Sequence, residues 1–266
     1  MKKLYIWLLL ILSIVILIAG KAHRDNNLEK GIVSAEERNK QLIAEQKEKV
    51  EGAKATWLGK QEARVYVIGS SVAIGKGASN RKTTSWAGLL RADFEQTNPD
   101  VTFSNLGVSG YTTKDILEKG VVEDLIRPDV VIFETSLINN FTKISLADST
   151  KQIKEIHDKI SAKTPNARVV LLPPNPIILL PLTNGVPVEN RTDKDGYSYE
   201  EFVKASGQYS KAQNWEYIDF WADFEQGIED KGITLKTLLD KDGVHPNDTG
   251  YKLWYDSIKG YFRIKD

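Results

Sequence analysis

Arg64-Val65-Tyr66-Val67-Ile68-Gly69-Ser70-Ser71-Val72-Ala73-Ile74-Gly75 is the stretch from which the architecture can be read. Val65 to Ile68 is a short apolar run, and Gly69 closes it in a turn, as expected of a strand buried on both faces. Strands of that kind belong to parallel sheets covered by helices, and sites in such sheets form at the carboxyl ends of the strands. Ser71 falls at that end. A helix starting after Ser71 would aim backbone N–H groups at developing negative charge. A serine hydroxyl is a poor nucleophile until a positioned base takes its proton, so the stretch directs attention to the histidines.

Outward from this strand, five segments read as buried strands: Val65–Gly69, Val101–Asn105, Asp129–Glu134, Arg168–Leu172 and Glu216–Phe220. Helical periodicity lies between them, at Trp86–Gln96, Thr113–Leu125, Leu146–Ala162 and Glu200–Gln213, with a last helix over Asp248–Tyr261. Strand alternating with helix predicts an α/β domain with a parallel five-stranded sheet covered on both faces. Ser71, Gly110 and Asn139 would all sit at carboxyl ends of strands. The stretch from Leu172 to Tyr197 carries five prolines and no clear periodicity. Its apolar part, Ile177 to Leu182, reads as an ordered flap near the substrate, with simple packing over the core as the alternative.

The chain has three histidines, His23, His157 and His245. His23 flanks an apolar N-terminal segment, and His157 reads as a solvated flank position on a charged helix. His245, in Asp242-Gly243-Val244-His245-Pro246, is left as the candidate general base. Asp242, three residues earlier, can hold the imidazole tautomer and steady the imidazolium. With so few histidines and no cysteine, metal ligation is not expected. No cofactor is implied.

Lys+Arg and Asp+Glu both number 36, and nothing resembles a basic nucleic-acid surface. The absence of cysteine excludes disulfides, thiolate sites and a lipid-modified cysteine. Lys2 and Lys3 precede the apolar run Leu4 to Gly20. As a helix this run would reach about 25 Å, slightly short of a hydrocarbon core of about 30 Å. It reads as a membrane anchor, with a cleaved signal peptide as the alternative, and in either case the rest of the chain should be exported. The expected organisation is an anchor or signal over 1–22, a charged helical stand-off segment over 23–62, and a domain over 63–266.

Taken together, these motifs resemble the SGNH (GDSL-like) hydrolase family. The resemblance runs from about Val65 to Tyr261. Gly69-Ser70-Ser71 through Gly75 matches the first block, which implies Ser71 as nucleophile. Asn105-Leu106-Gly107-Val108-Ser109-Gly110-Tyr111-Thr112 matches the second and implies the Gly110 N–H as an oxyanion donor. Glu134-Thr135-Ser136-Leu137-Ile138-Asn139-Asn140 matches the third and implies the Asn139 carboxamide as another, beside the Ser71 N–H. Asp242-Gly243-Val244-His245-Pro246-Asn247 completes the triad Ser71, His245, Asp242. The resemblance implies a three-layer α/β/α sandwich of flavodoxin-like type. Ser70 departs from the family's aspartate before the serine, and Leu137-Ile138-Asn139-Asn140 departs from its Gly-x-Asn-Asp.

The expected activity is a serine esterase that removes small acyl groups, acetyl first, from a cell-envelope or extracellular glycan. O-acyl transfer to a glycan and hydrolysis of a lipid or thioester are the alternatives. A non-catalytic glycan-binding protein on a decayed scaffold is the reading from another class.

Overall fold

The structure is a computed structural model and describes residues 63–262 apart from 98 and 182–184. The expected anchor, the stand-off segment and the tip of the flap lie outside the described residues. Among the described residues no helix is long and apolar enough to cross a membrane.

Five parallel strands, β1 (Ala63–Ile68), β2 (Val101–Asn105), β3 (Val130–Glu134), β4 (Arg168–Leu172) and β5 (Glu216–Tyr217), lie in the order β2-β1-β3-β4-β5. In this register Val65 stands beside Phe103 on one side and Val130 on the other. β3 is buried at every residue, including the terminal Glu134. From β1 the chain goes out to β2 and then crosses back to β3. The loops after β1 and β3 therefore part over a crevice at their carboxyl ends. Ser71 and the residues after Glu134 emerge there.

The helices are α1 (Trp86–Thr97), α2 (Thr113–Glu118), α3 (Leu137–Lys143), α4 (Leu146–Lys163), α5 (Tyr199–Ala212), α6 (Trp221–Asp230), α7 (Leu235–Leu238) and α8 (Asp248–Ile258). α1, α6 and α7 pack around α8, while α2, α3, α4 and α5 pack with one another. Together with the sheet they make the expected three layers. Trp254 of α8 stacks between Trp86 of α1 (5.4 Å between ring centroids) and Phe220 at the start of α6 (4.7 Å). Each such pair adds about 0.5–1.5 kcal/mol beyond area burial. Trp86 also donates Nε1–H to the Val72 carbonyl at 2.9 Å, tying this layer to the turn that follows β1.

Several sequence expectations are corrected. No regular helix follows Ser71. Consecutive turns do instead, closed by Ile74 N–H to Ser70 O, Gly75 N–H to Val72 O and Lys76 N–H to Ser71 O. Gly75 and Gly77, both at positive φ, keep these turns from propagating as a helix. The helix expected to reach Leu125 stops at Glu118, just before Gly120 at φ +72°. β5 pairs over two residues rather than five, because Phe220 and Trp221 turn away to begin α6 and fill the aromatic core. α3, α6 and α7 were not expected. His157 is no solvated flank: it stacks on Trp215 at 4.3 Å, with its side chain 15 % exposed. Burial pushes its pKa below the usual imidazole value, outweighing the opposite pull of Asp158.

Candidate active site

Ser71 is buried at the head of the turns after β1. Gly69, at φ +144°, makes the fold-back possible: a Cβ there would lie 2.6 Å from the Glu134 carbonyl oxygen. His245 reaches Ser71 from a loop 174 positions away in sequence, with Nε2 2.8 Å from the serine Oγ. Its other nitrogen, Nδ1, is 2.5 Å from Asp242 Oδ2. Asp242 Oδ1 accepts the backbone N–H groups of Val244 and His245, each at 3.0 Å, so one carboxylate sets both the loop and the ring. Burial pushes the Asp242 carboxyl up. The hydrogen bonds from the His245 ring and from the His245 and Val244 N–H groups outweigh it and hold the pKa well below the carboxylate range. An ionised Asp242 only accepts. Nδ1–H therefore donates to it, and Nε2 is left to accept the Ser71 hydroxyl proton.

The histidine loop is braced from two sides. Gly243 O accepts the N–H groups of Ile178 and Leu179, at 3.0 and 3.1 Å. Val244 O accepts Asn175 Nδ2–H at 2.9 Å. The expected flap is thus ordered against the Gly243 turn, closed on itself by Leu180 N–H to Val186 O and Val188 N–H to Ile178 O. On the other side, Tyr251 O–H donates to Lys76 O at 2.7 Å, and the Asp248 carboxylate takes the Ser79 N–H and the Thr84 hydroxyl. These contacts press the start of α8 onto the serine turn.

The loop that carries Gly110 and the helix α3 that carries Asn139 are joined to each other. Asn139 Nδ2 donates to the Tyr111 carbonyl at 2.9 Å, and Lys143, one helical turn on, donates to the Gly110 carbonyl at 3.0 Å. The Gly110 loop is stitched to the serine turn by Val108 N–H to Gly69 O and by Asn105 Nδ2–H to Ala73 O, at 3.0 and 2.7 Å. The backbone N–H groups of Ser71 and Gly110 donate to no acceptor among the described residues. Gly110, at φ +84°, has nothing within 4 Å of where a Cβ would stand. Asn140, by contrast, is fully buried and fully used. Its Oδ1 takes the Thr113 N–H, and its Nδ2 donates to the Thr113 and Ser149 hydroxyls. Asn139 has a second amide hydrogen left to give. Among the described residues no three metal-ligating side chains converge.

Sequence reasoning missed Glu134, Asn175 and Lys143 as parts of this site. Glu134 is fully buried, and its carboxylate accepts the Ser70 N–H, the Ser70 hydroxyl and the Ser136 N–H. A charged residue closing an otherwise apolar strand was the available signal.

A sequence model of the GDSL-like lipase/acylhydrolase family matches residues 67–253. A search of curated protein sequences finds no match. Among solved structures, a two-domain esterase active on acetylated mannans is similar, with a TM-score of 0.59 and 15% identity. The match covers 80% of this chain and 51% of that one, so this chain spans about half its length. An acetyl xylan esterase gives 0.56 and 17%, over 75% and 100% of the two chains. A catalytic mutant of an acetylxylan esterase from Geobacillus stearothermophilus gives 0.56 and 16%, over 76% and 95%. At these identities the likeness speaks for the fold.

Proposed function

The chain belongs to the GDSL-like lipase/acylhydrolase family, and from that membership and the site geometry we propose a serine esterase that removes small acyl groups, acetyl first, from a cell-envelope or extracellular glycan. The observation that carries this reading is the unbroken relay from Ser71 Oγ through His245 to Asp242, at 2.8 and 2.5 Å. His245 Nε2 takes the hydroxyl proton as Oγ attacks the ester carbonyl, and Asp242 stays ionised and steadies the imidazolium. The oxyanion is received by the N–H groups of Ser71 and Gly110 and by the free amide hydrogen of Asn139. Each such donor contributes about 2.7–4 kcal/mol of transition-state stabilisation. The imidazolium then protonates the leaving alcohol. A water, deprotonated by His245, attacks the acyl-enzyme and releases the carboxylic acid with Ser71 restored.

The glycan half of the reading draws on the acetylated mannan and xylan esterases that share the fold. It also draws on the apolar stretch at 4–20, which would place the domain outside the membrane, tethered by residues 1–22. The test is the full-length protein in detergent, given acetyl, butyryl and octanoyl model esters beside acetylated polysaccharides, with Ser71→Ala as control. Model-ester hydrolysis that falls as the acyl chain lengthens, with acetate released from the acetylated polysaccharides, both abolished in Ser71→Ala, is the expected outcome. Turnover unchanged in Ser71→Ala would overturn the nucleophile. Acyl transfer to an added glycan outrunning acetate release would replace hydrolysis with transfer.

A further inference from the structure

The chain places a carboxylate, Glu134, in the interior directly behind the nucleophile turn, and the mechanism above makes no use of it. Glu134 Oε2 accepts both the N–H and the hydroxyl of Ser70, each at 2.7 Å, and Oε1 accepts the N–H of Ser136 at 2.8 Å. Ser70 immediately precedes Ser71. Ser136 is the residue that launches α3 and hence Asn139. It stands at φ +56°, ψ +22°, a left-handed conformation uncommon for a residue with a Cβ. Among the described residues Glu134 pairs with no cation. Burial raises its pKa, against the pull of the three hydrogen bonds it accepts.

A buried carboxylate without a cation is a poor device for stability, since desolvating it costs several kcal/mol. A carboxamide could not replace it. It has one acceptor oxygen, and its NH2 would face either the Ser70 or the Ser136 N–H. Only an acceptor on both arms satisfies this set of donors. With the Ser70 N–H drawn inward, the Ser71 N–H is left with no protein acceptor.

We propose that Glu134 is a positioning residue of the active site: its carboxylate clamps the Ser71 turn to the turn that starts α3, holding the nucleophile and the Asn139 carboxamide in one register. The inference rests on the esterase reading and assigns to Glu134 no contact with substrate. It also accounts for Ser70. That hydroxyl is one arm of the clamp, and β3 supplies the carboxylate behind the nucleophile.

The experiment compares the full-length wild type with Glu134→Gln and Ser70→Ala. It measures kcat and KM on an acetyl ester, the rate of capture by a serine-directed phosphonate, and the thermal midpoint. Rates are taken per phosphonate-reactive site. Misplacement of the reacting groups predicts a kcat lower by about 10- to 100-fold in Glu134→Gln, with KM little changed and phosphonate capture slowed in step. Ser70→Ala keeps the backbone arm and loses only the hydroxyl, so its kcat falls by less, about threefold or more. A purely structural Glu134 would lower the thermal midpoint and leave kcat per reactive site at the wild-type value; that result overturns the proposal. If Glu134→Gln does not fold, Ser70→Ala decides: a reduced kcat supports the clamp, and an unchanged one overturns it. A wild-type protein that neither turns over esters nor reacts with the phosphonate would instead refute the esterase reading, and this inference with it.

Discussion

Asn139 and Asn140 are chain neighbours of the same chemistry, and their hydrogen bonds give them different work. Every polar atom of Asn140 is spent on Thr113 and Ser149, so it fastens α2 to α3 and α4. Asn139 spends one amide hydrogen on Tyr111 and keeps another. Asn139→Ala is therefore expected to lower kcat by about 10²–10³ with little change in melting. Asn140→Ala should instead cost about 1–3 kcal/mol of stability, through the buried donors and acceptors it strands. Steady-state kinetics and thermal melts on the pair check both; the reverse pattern would exchange the assignments. Asp242 makes a pH prediction. Its folded pKa lies below the unfolded value, so the stability it adds is present above about pH 4 and drains away as pH falls through the folded value. Wild-type stability should accordingly drop more steeply below about pH 4 than that of Asp242→Asn, in denaturation curves taken across that range. Ser71, Asp242 and His245 were legible in the sequence because scarce, chemically distinct residues stand in short local motifs. Glu134 was not, since a carboxylate at a strand end reads equally well as a surface residue. Its burial follows from the two turns that close over it, at Ser70 and at Ser136.

While α2 and α8 end short of the expected Leu125 and Tyr261, α1, α4 and α5 were read to within a residue at each end. α4 shows why: Ser145 caps it, and Ile153, Ile156 and Ile160 line one buried face. α2 is cut short locally by Gly120, whereas other misread elements are those where tertiary demand overrides local pattern. β5 yields Phe220 and Trp221 to the aromatic stack, and the turns after Ser71 are held by Trp86 and by glycines rather than by helix propensity. His157 was misread for a related reason. Its own helix presents charges on the neighbouring positions, but Trp215, arriving from just ahead of β5, covers the ring. The folded pKa of His157 lies below the unfolded value. Its contribution is thus present above the unfolded pKa of about 6.5 and is lost as pH falls below it. Replacing it with Phe keeps the stack and removes the titration. The melting temperature of His157→Phe should fall less than that of the wild type between about pH 7 and pH 5. Parallel slopes in the two proteins would contradict that origin.

Across the domain, the strand order does what no single motif can do. By running out to β2 and crossing back to β3, the chain opens a crevice between the loops that carry Ser71 and Asn139. The C-terminal loop then delivers His245 from the far end of the sequence, braced by the proline-rich strap on one side and by the start of α8 on the other. The sheet was readable from five apolar runs, and the meeting of the two motifs from their chemistry. The bracing was not, because it is made by backbone carbonyls and by asparagines that look like ordinary loop residues. The most direct measurement is the site of covalent capture: treat the full-length protein with a serine-directed fluorophosphonate and locate the adduct by mass spectrometry of the tryptic fragment spanning residues 65–76. The expected result is a single adduct on Ser71, not Ser70, which forms in the wild type and is lost in His245→Ala. Capture at another side chain, or undiminished capture without His245, would contradict the relay on which the account stands.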